Sequence, residues 1–367
     1  MNSATNKIKE DQTNANVKYI RDQQPQQQSL SKYVPDLTPP VQKEYQHRAL
    51  KQHNWATYNL SQEEEFPLFL DLLSNTLEQL QTHPSGTRGR PRYSLYTILL
   101  CSAVTIYYTF STRRSPSLLR DLQKQGIIRA IPDFSTIRRY LRKPAVTDTL
   151  IHLIEQTATL LIPYETTFAV DSSGFSSFKF HRWVHARLDK RERIRDFKKA
   201  HICIGVKSGI ITAIAITDSN HADIKCLPTL LNTTKNNGFT ILEVVADKAY
   251  NSREQYNFIH NLGAVPFIPF KKGSTGRSAG SFIWKRTFQI EKENPDYFYN
   301  HYHQRSTVES SFSSVKRKFL DFTRAKTDNG QINEILLKYL CQNLCILARV
   351  IHFQKPLQPP NNTTESH

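Results

Sequence analysis

The sequence predicts an α/β fold built on a mixed sheet, preceded by an α-helical region and bounded by two tails that cannot form a core. Three observations predict it. From about residue 164, short apolar runs rich in β-branched residues alternate with helical stretches. Between 45 and 160, apolar residues recur at helical spacing. The two ends are polar and low in complexity.

The first tail covers residues 1–44. Its run Gln23-Gln24-Pro25-Gln26-Gln27-Gln28 and the pair Pro39-Pro40 leave nothing to bury, so it is expected to be disordered. It has no apolar stretch of the kind a signal peptide needs. Residues 356–367 read the same way.

The helical region, 45–160, opens with Phe66, Phe69, Leu70, Leu72, Leu73, Leu77 and Leu80 recurring at helical spacing. A basic turn, Thr87-Arg88-Gly89-Arg90-Pro91-Arg92, follows. Tyr93–Thr112 carries no charge but holds too many hydroxyls for a membrane span, and reads as a buried helix. The segment 132–143 can be capped by Asp133 or Ser135 and carries Arg138, Arg139, Arg142 and Lys143. A short basic helix after a tight turn suits a helix-turn-helix reader of DNA, and equally an ordinary solvated helix.

The α/β region, 164–350, begins with Thr167-Phe168-Ala169-Val170, a strand expected to end at Asp171. Residues 201–206 and 210–217 form a hairpin across a Gly-containing turn, and 227–231 a helix. A further strand, 241–246, ends at Asp247. A helix over 252–262, a strand over 264–270, a Gly/Ser/Lys/Arg loop over 271–281 and helices from about 295 to 350 complete the region.

The charge balance narrows the function. With 49 Lys and Arg against 32 Asp and Glu, the 367-residue chain has a formal net charge of +17, which favours a polyanionic partner such as nucleic acid. Composition excludes collagen-like, coiled-coil and disulfide-scaffold classes. The five cysteines are scattered without zinc-ligand spacing and read as buried thiols of a reducing compartment.

Two acids stand after apolar strands, Asp171 and Asp247. If those strands are neighbours the carboxylates converge, and such a pair calls for a cation between them. Hard oxygen donors favour Mg²⁺ or Mn²⁺. Each Asp alone could instead cap the turn after its strand. In Tyr302-His303-Gln304-Arg305-Ser306-Thr307-Val308-Glu309 and on to Lys316, a helical screw of roughly 100° per residue puts Tyr302, Arg305, Glu309 and Lys316 within roughly a 60° arc. Glu309 could ligate metal there, with Arg305 and Lys316 on phosphates; a solvated face with an Arg305–Glu309 pair is the plainer reading. Asp223 is a competing acid, while Asp189, Asp196 and Glu291 read as solvated. Trp183 and Trp284 read as packing residues. Basic residues gather around the acids: Lys179 and Arg182, the stretch Arg187–Lys199, Lys248, Lys271, Lys272, Arg277, Arg317, Lys318 and Arg324. Such a surface suits phosphate contacts.

Tyr-x2-Arg-x3-Glu-x6-Lys, at Tyr302, Arg305, Glu309 and Lys316, resembles the signature of a large group of prokaryotic insertion-sequence DDE transposases. Ala169-Val170-Asp171-Ser172-Ser173-Gly174 and Val245-Ala246-Asp247-Lys248-Ala249-Tyr250 are similar to that family's two Asp motifs. The resemblance runs from about Arg88 to Val350. It implies an RNase H-like catalytic core in which Asp171, Asp247 and Glu309 bind two divalent metals, Mg²⁺ or Mn²⁺. It also implies metal-dependent cleavage at the element's terminal inverted repeats, followed by strand transfer to target DNA. Asp247 and Glu309 lie too close in sequence for the long β-rich insertion that some members carry. The expected DNA contacts are Tyr302, Arg305, Lys316, Lys248, Arg182, Arg138, Arg139, Arg142, Arg90 and Arg92. The expected partners are the double-stranded element ends and target, with a second copy of the chain and no membrane, in a cytoplasmic, nucleoid-associated protein. Two other readings share this core: a decayed or host-adopted transposase that only binds DNA, and a metal-dependent nuclease that cuts without joining.

Overall fold

The computed structural model describes residues 55–81, 92–177 and 197–354. Both expected tails lie outside them, as do Arg90, Arg182, Lys179, Trp183, Asp189, Asp196 and most of the basic stretch before Phe197.

The helical part comprises α1 (Trp55–Glu63), α2 (Glu65–Leu77), α3 (Leu95–Tyr107), α4 (Ser115–Lys124), α5 (Phe134–Leu141) and α6 (Pro144–Ala158). Starts are marked where the sequence supplies a cap. The Ser94 hydroxyl accepts from Thr97 N, Asp133 from Ser135 N, and prolines occupy the first turns of α4 and α6. The centre of α3, Ile98 to Thr105, is buried, as its uncharged composition predicts. The connection between α4 and α5, residues 125–133, is longer than the three- or four-residue turn of a helix-turn-helix. The tight turn expected before the basic helix is therefore absent.

Among the described residues, five strands form one sheet in the order β3-β2-β1-β4-β5. They are β1 (Thr167–Ser176), β2 (Phe197–Gly205), β3 (Ile211–Asp218), β4 (Glu243–Ala246) and β5 (Val265–Phe267). β1 pairs antiparallel with β2 and parallel with β4, so the sheet is mixed. Between strands run α7 (Leu227–Asn236) and α8 (Arg253–Asn261); α9 (Phe282–Glu293), α10 (Pro295–Tyr302), α11 (Ser306–Phe319) and α12 (Asp328–Gln354) follow. This is an α/β core of the kind expected, with two shifts. β1 does not end at Asp171 but runs on to Ser176, because β2 starts at Phe197 and supplies partners as far as Ser176↔Phe197. β5 is confined to three residues.

The β2–β3 turn is fixed from beneath by Glu165, fully buried, whose carboxylate accepts from Lys207 N (3.1 Å) and Ser208 N (2.7 Å). Gly205 is required there, since a Cβ would lie 2.3 Å from the Glu165 carboxyl carbon. Gly209, at φ +81°, closes the turn in the left-handed region.

The hydrophobic core continues without a break from the helical part into the sheet. The link is α12, which packs against α6, α2, α3 and α5 on one side and β2 and β3 on the other. By length and composition α12 could cross a membrane, but it is largely buried inside the fold and serves as its core helix. Asn343 on α12, fully buried, donates to Ile154 O, Thr157 Oγ1 and Ile211 O, and accepts from Ile211 N. It ties α6 to β3, the end strand of the sheet among the described residues. All five cysteines are buried and unpaired.

Candidate active site

The register places the first two acids side by side. Val170 pairs with Ala246 in the parallel β1–β4 ladder. Asp171 and Asp247 are the next residues on each strand and project from adjacent positions. Asp171 is held by the continuing strand; its Oδ1 accepts from Ser172 N at 2.8 Å. Asp247 opens a 3₁₀ turn, Lys248–Tyr250.

The third element crosses this sheet end. The expected single helix over 302–316 is two helices joined by a 3₁₀ turn, His303–Arg305, between α10 and α11. Backbone angles stay helical through the joint (Arg305 φ −55°, ψ −27°), so the predicted face survives with a tightened twist. His301 fixes the joint over β4: its Nδ1 lies 3.0 Å from Glu243 Oε2 and its ring stacks on Phe267 at 4.5 Å. At the far end of α11, Lys318 pairs with the buried Glu65 on α2 at 2.6 Å, and Glu65 also accepts from the Tyr107 hydroxyl. Lys318, expected on the basic surface, is instead a structural tie.

Arg305 is the centre of the site. Its Nη2 donates to Asp171 Oδ2 at 2.9 Å and lies 3.7 Å from Asp247 Oδ2, while Nη1 donates to Glu309 Oε1 at 2.7 Å. The Arg305–Glu309 pair read from the spacing is present, and it is one edge of a larger cluster. Three carboxylates from three elements converge on one guanidinium. Exposure is graded: the side chains of Asp171 and Arg305 are each 17% accessible, Asp247 38% and Glu309 59%. Burial pushes the Asp171 carboxyl above its ordinary pKa, opposed by the Ser172 amide and by Arg305, with Asp247 adding to the rise. Burial works against the Arg305 cation, but Asp171, Tyr302, Glu309 and Asp247 outweigh it and raise its pKa. Among the described residues no group of three or more His, Cys, Asp or Glu side chains is arranged to hold a metal ion as placed. The acids meet around Arg305 rather than around one another.

Lys316 reaches the same sheet face, donating to Ser173 Oγ at 2.7 Å, and its ammonium lies 5.5 Å from the Phe175 ring centre. Its burial lowers its pKa. Ser173 was legible in principle, since it stands two residues after Asp171 on the same strand face. Tyr302 is half-buried against Tyr299 and the core. Lys248 is exposed beside Asp247. The Tyr250 hydroxyl is buried with no hydrogen-bond partner, and burial followed by the nearby Asp171 raises its pKa.

Asp223 does not join this cluster. It pairs with Lys199 at 2.5 Å and lies 3.5 Å from His201 Nδ1, where burial drives His201 down to about 4. Glu291, expected to be solvated, is half-buried and accepts from the Tyr299 hydroxyl. Trp284 is a packing residue, buried, with its Nε1 donating to Thr275 O and Arg253 over its ring.

The other expected DNA contacts among the described residues lie on the helical part. Arg92, Arg138, Arg139 and Arg142 are exposed. Arg138 and Arg142 line a cleft with Arg324 and Lys326, floored by Ile106, Ile137 and Leu141. Arg113 and Arg138 flank the Phe134 ring.

Residues 164–344 match the family model described as "Transposase DDE domain". The match starts just before β1, spans the whole sheet and Arg305 with its three acids, and ends within α12. It supports a DDE transposase.

Proposed function

We propose that this chain, which carries a match to the transposase DDE domain from 164 to 344, is an active transposase. It binds the terminal inverted repeats of its own element, cleaves DNA and joins the freed end to a target, using Asp171, Asp247 and Glu309. The observation that carries the reading is the convergence of these three carboxylates, from β1, the end of β4 and α11, on the single cation Arg305. A set of three acids with so little countercharge is a poor structural device and a good cation site. Their donors are all hard oxygens, which fit Mg²⁺ or Mn²⁺. A pair of such ions, held by the three acids, would supply Lewis acidity and charge neutralisation at the scissile phosphate.

The remaining work falls to the chain's own groups. Asp171, on a continuous strand, and Asp247, on the adjoining strand end, form the rigid side of the site. Glu309, the most exposed of the three, is the adjustable side. Lys316 and Lys248 flank the acids and would hold the phosphates on either side of the scissile bond. Tyr302 would pack against the sugar. Phosphodiester cleavage and transfer need positioning and charge rather than a covalent protein intermediate, so no Ser or Tyr nucleophile is required. The basic face of α5, with Arg92 and the cleft at Arg138 and Arg142, would bind the duplex away from the acids. Acting on two element ends together calls for two active sites, hence a homodimer on DNA.

The test is a cleavage and joining assay. A labelled duplex ending in the DNA that flanks the protein's own gene is mixed with a target plasmid and the purified chain, in Mg²⁺ or EDTA. Nicked and joined products that need Mg²⁺ and disappear in Glu309→Gln are expected. Tight binding without cleavage by the unsubstituted chain would overturn the enzymatic reading in favour of a DNA-binding protein; cutting without joining would make it a nuclease.

A further inference from the structure

Arg305 stands where the reaction needs a metal. Its Nη2 is 2.9 Å from Asp171 and 3.7 Å from Asp247, and Nη1 is 2.7 Å from Glu309. Those oxygens are the ones a divalent ion would take, and while the guanidinium bonds to them it competes with the ion for the same lone pairs. One guanidinium also balances only one of the three carboxylate charges. The arrangement is a partial substitute for a metal rather than a finished ion-pair network. The Nε of Arg305 is buried and has no partner, so the side chain is not fully satisfied where it sits.

The alternative partner for a guanidinium is a phosphate, which it binds through two parallel hydrogen bonds. Lys316 on the same helix face and Lys248 beside Asp247 already make that side of the site attractive to phosphate.

We propose that Arg305 is a resident counter-ion that a DNA phosphate draws away from the acids, so that DNA binding opens the site to divalent metal. The inference rests on the transposase reading and adds to it an order: the acids are partly neutralised by Arg305 in the free chain and by metal in the DNA complex. DNA and metal therefore bind with positive coupling, and the coupling is reciprocal. Arg305 is a positioning residue in this scheme. Its withdrawal frees three carboxylates only where substrate is in place, which restrains metal-dependent chemistry in the unbound chain.

The experiment measures Mn²⁺ binding by the full chain, from the loss of the free-ion electron paramagnetic resonance signal, with and without a DNA duplex. Unsubstituted protein, Arg305→Gln, Arg305→Lys and Asp171→Asn are compared. For the unsubstituted chain, duplex is expected to tighten Mn²⁺ binding roughly tenfold or more, the scale of removing one competing charge-assisted hydrogen bond. Arg305→Gln should bind Mn²⁺ roughly that much tighter without DNA, and gain little more from duplex. Arg305→Lys, which keeps the charge but cannot bridge three carboxylates, should fall between. Thermal melts run alongside check folding; Mn²⁺ should raise the melting temperature of Arg305→Gln more than that of the unsubstituted chain. Equal or weaker Mn²⁺ binding by Arg305→Gln without DNA, or undiminished coupling in it, would overturn the proposal. If Asp171→Asn leaves Mn²⁺ binding unchanged, the metal site itself, and with it the transposase reading, is what fails.

Discussion

Asn343→Leu tests whether the helical part and the sheet form one cooperative body. The substitution keeps the count and branching of side-chain heavy atoms and leaves no cavity, so its cost comes from lost hydrogen bonding, with the bulkier methyl groups adding to it. Asn343 is completely buried. Its Oδ1 accepts from Ile211 N at 2.9 Å and its Nδ2 donates to Ile211 O at 2.9 Å, closing the outward-facing backbone of the β3 edge. The same Nδ2 reaches Ile154 O and Thr157 Oγ1 on α6 at 3.1 Å. Leucine leaves the Ile211 N–H and C=O without partners in a dry place. At about 1–3 kcal/mol for each orphaned buried group, the expected loss is about 2–6 kcal/mol. Against a typical total of about 5–15 kcal/mol, that is a large fraction. The assay is equilibrium urea unfolding, followed both by far-ultraviolet circular dichroism, dominated by the helices, and by tryptophan fluorescence, to which the buried Trp284 contributes. The two probes should give coincident transitions, moved together to lower urea by the substitution. A loss under about 1 kcal/mol, or transitions that separate in the unsubstituted chain, would refute the account of α12 as the strut that joins the two parts.

Other substitutions read out separate features. Lys318→Met removes the partner of the Glu65 carboxylate, 8% exposed, and should cost about 2 kcal/mol in urea unfolding, the scale of one charge-assisted hydrogen bond, with Glu65→Gln in the same chain recovering part of it. Gly205→Ala should destabilise by several kcal/mol, since Glu165 cannot retreat without losing its bonds to Lys207 and Ser208; a neutral result would mean that the hairpin turn is not clamped. Burial lifts Glu155 to about 7, with the nearby Asn237 amide opposing the rise. The folded chain therefore holds a proton that the unfolded chain releases above about 4.5, so stability from this group falls as pH rises from about 4.5 to about 7 and is flat beyond. Glu155→Gln should remove that slope and stabilise the chain at pH 8 by about 2–3 kcal/mol, measured by urea unfolding at pH 5 and 8. Arg138→Gln with Arg142→Gln should weaken duplex binding and lower the salt dependence of affinity by about 0.9 in slope for each phosphate no longer neutralised, read by fluorescence anisotropy across a salt series.

The two Asp positions were legible because a buried strand announces itself as an apolar run, and an acid at its end breaks the pattern. Phe168 to Val170 and Val244 to Ala246 are fully buried, and each run is followed by the carboxylate of the site. The helix face of Arg305, Glu309 and Lys316 was legible from periodicity, which survives a short 3₁₀ joint. The end of β1 was not legible, because strand length depends on how far the partner strand reaches, and Phe197 is remote in sequence. The fate of Lys318 was hidden for a similar reason: nothing near it in sequence indicates that Glu65, on another helix, takes its charge. Asp223 looked equivalent to the other acids by position, and only its neighbours Lys199 and His201 remove it from the cluster.

The order of amino acids is enough to establish the α/β class, the helical segment before it, and the acids and bases able to meet at a strand end. These follow from local periodicity and charge, which are written residue by residue. Three-dimensional packing was needed to make β1 and β4 parallel neighbours, which puts Asp171 beside Asp247. It was needed, too, for α12 to weld the helices to the sheet, and for Arg305 to gather all three carboxylates rather than pairing with Glu309 alone. Those outcomes depend on contacts between residues far apart in the chain, fixed by packing rather than by any local pattern.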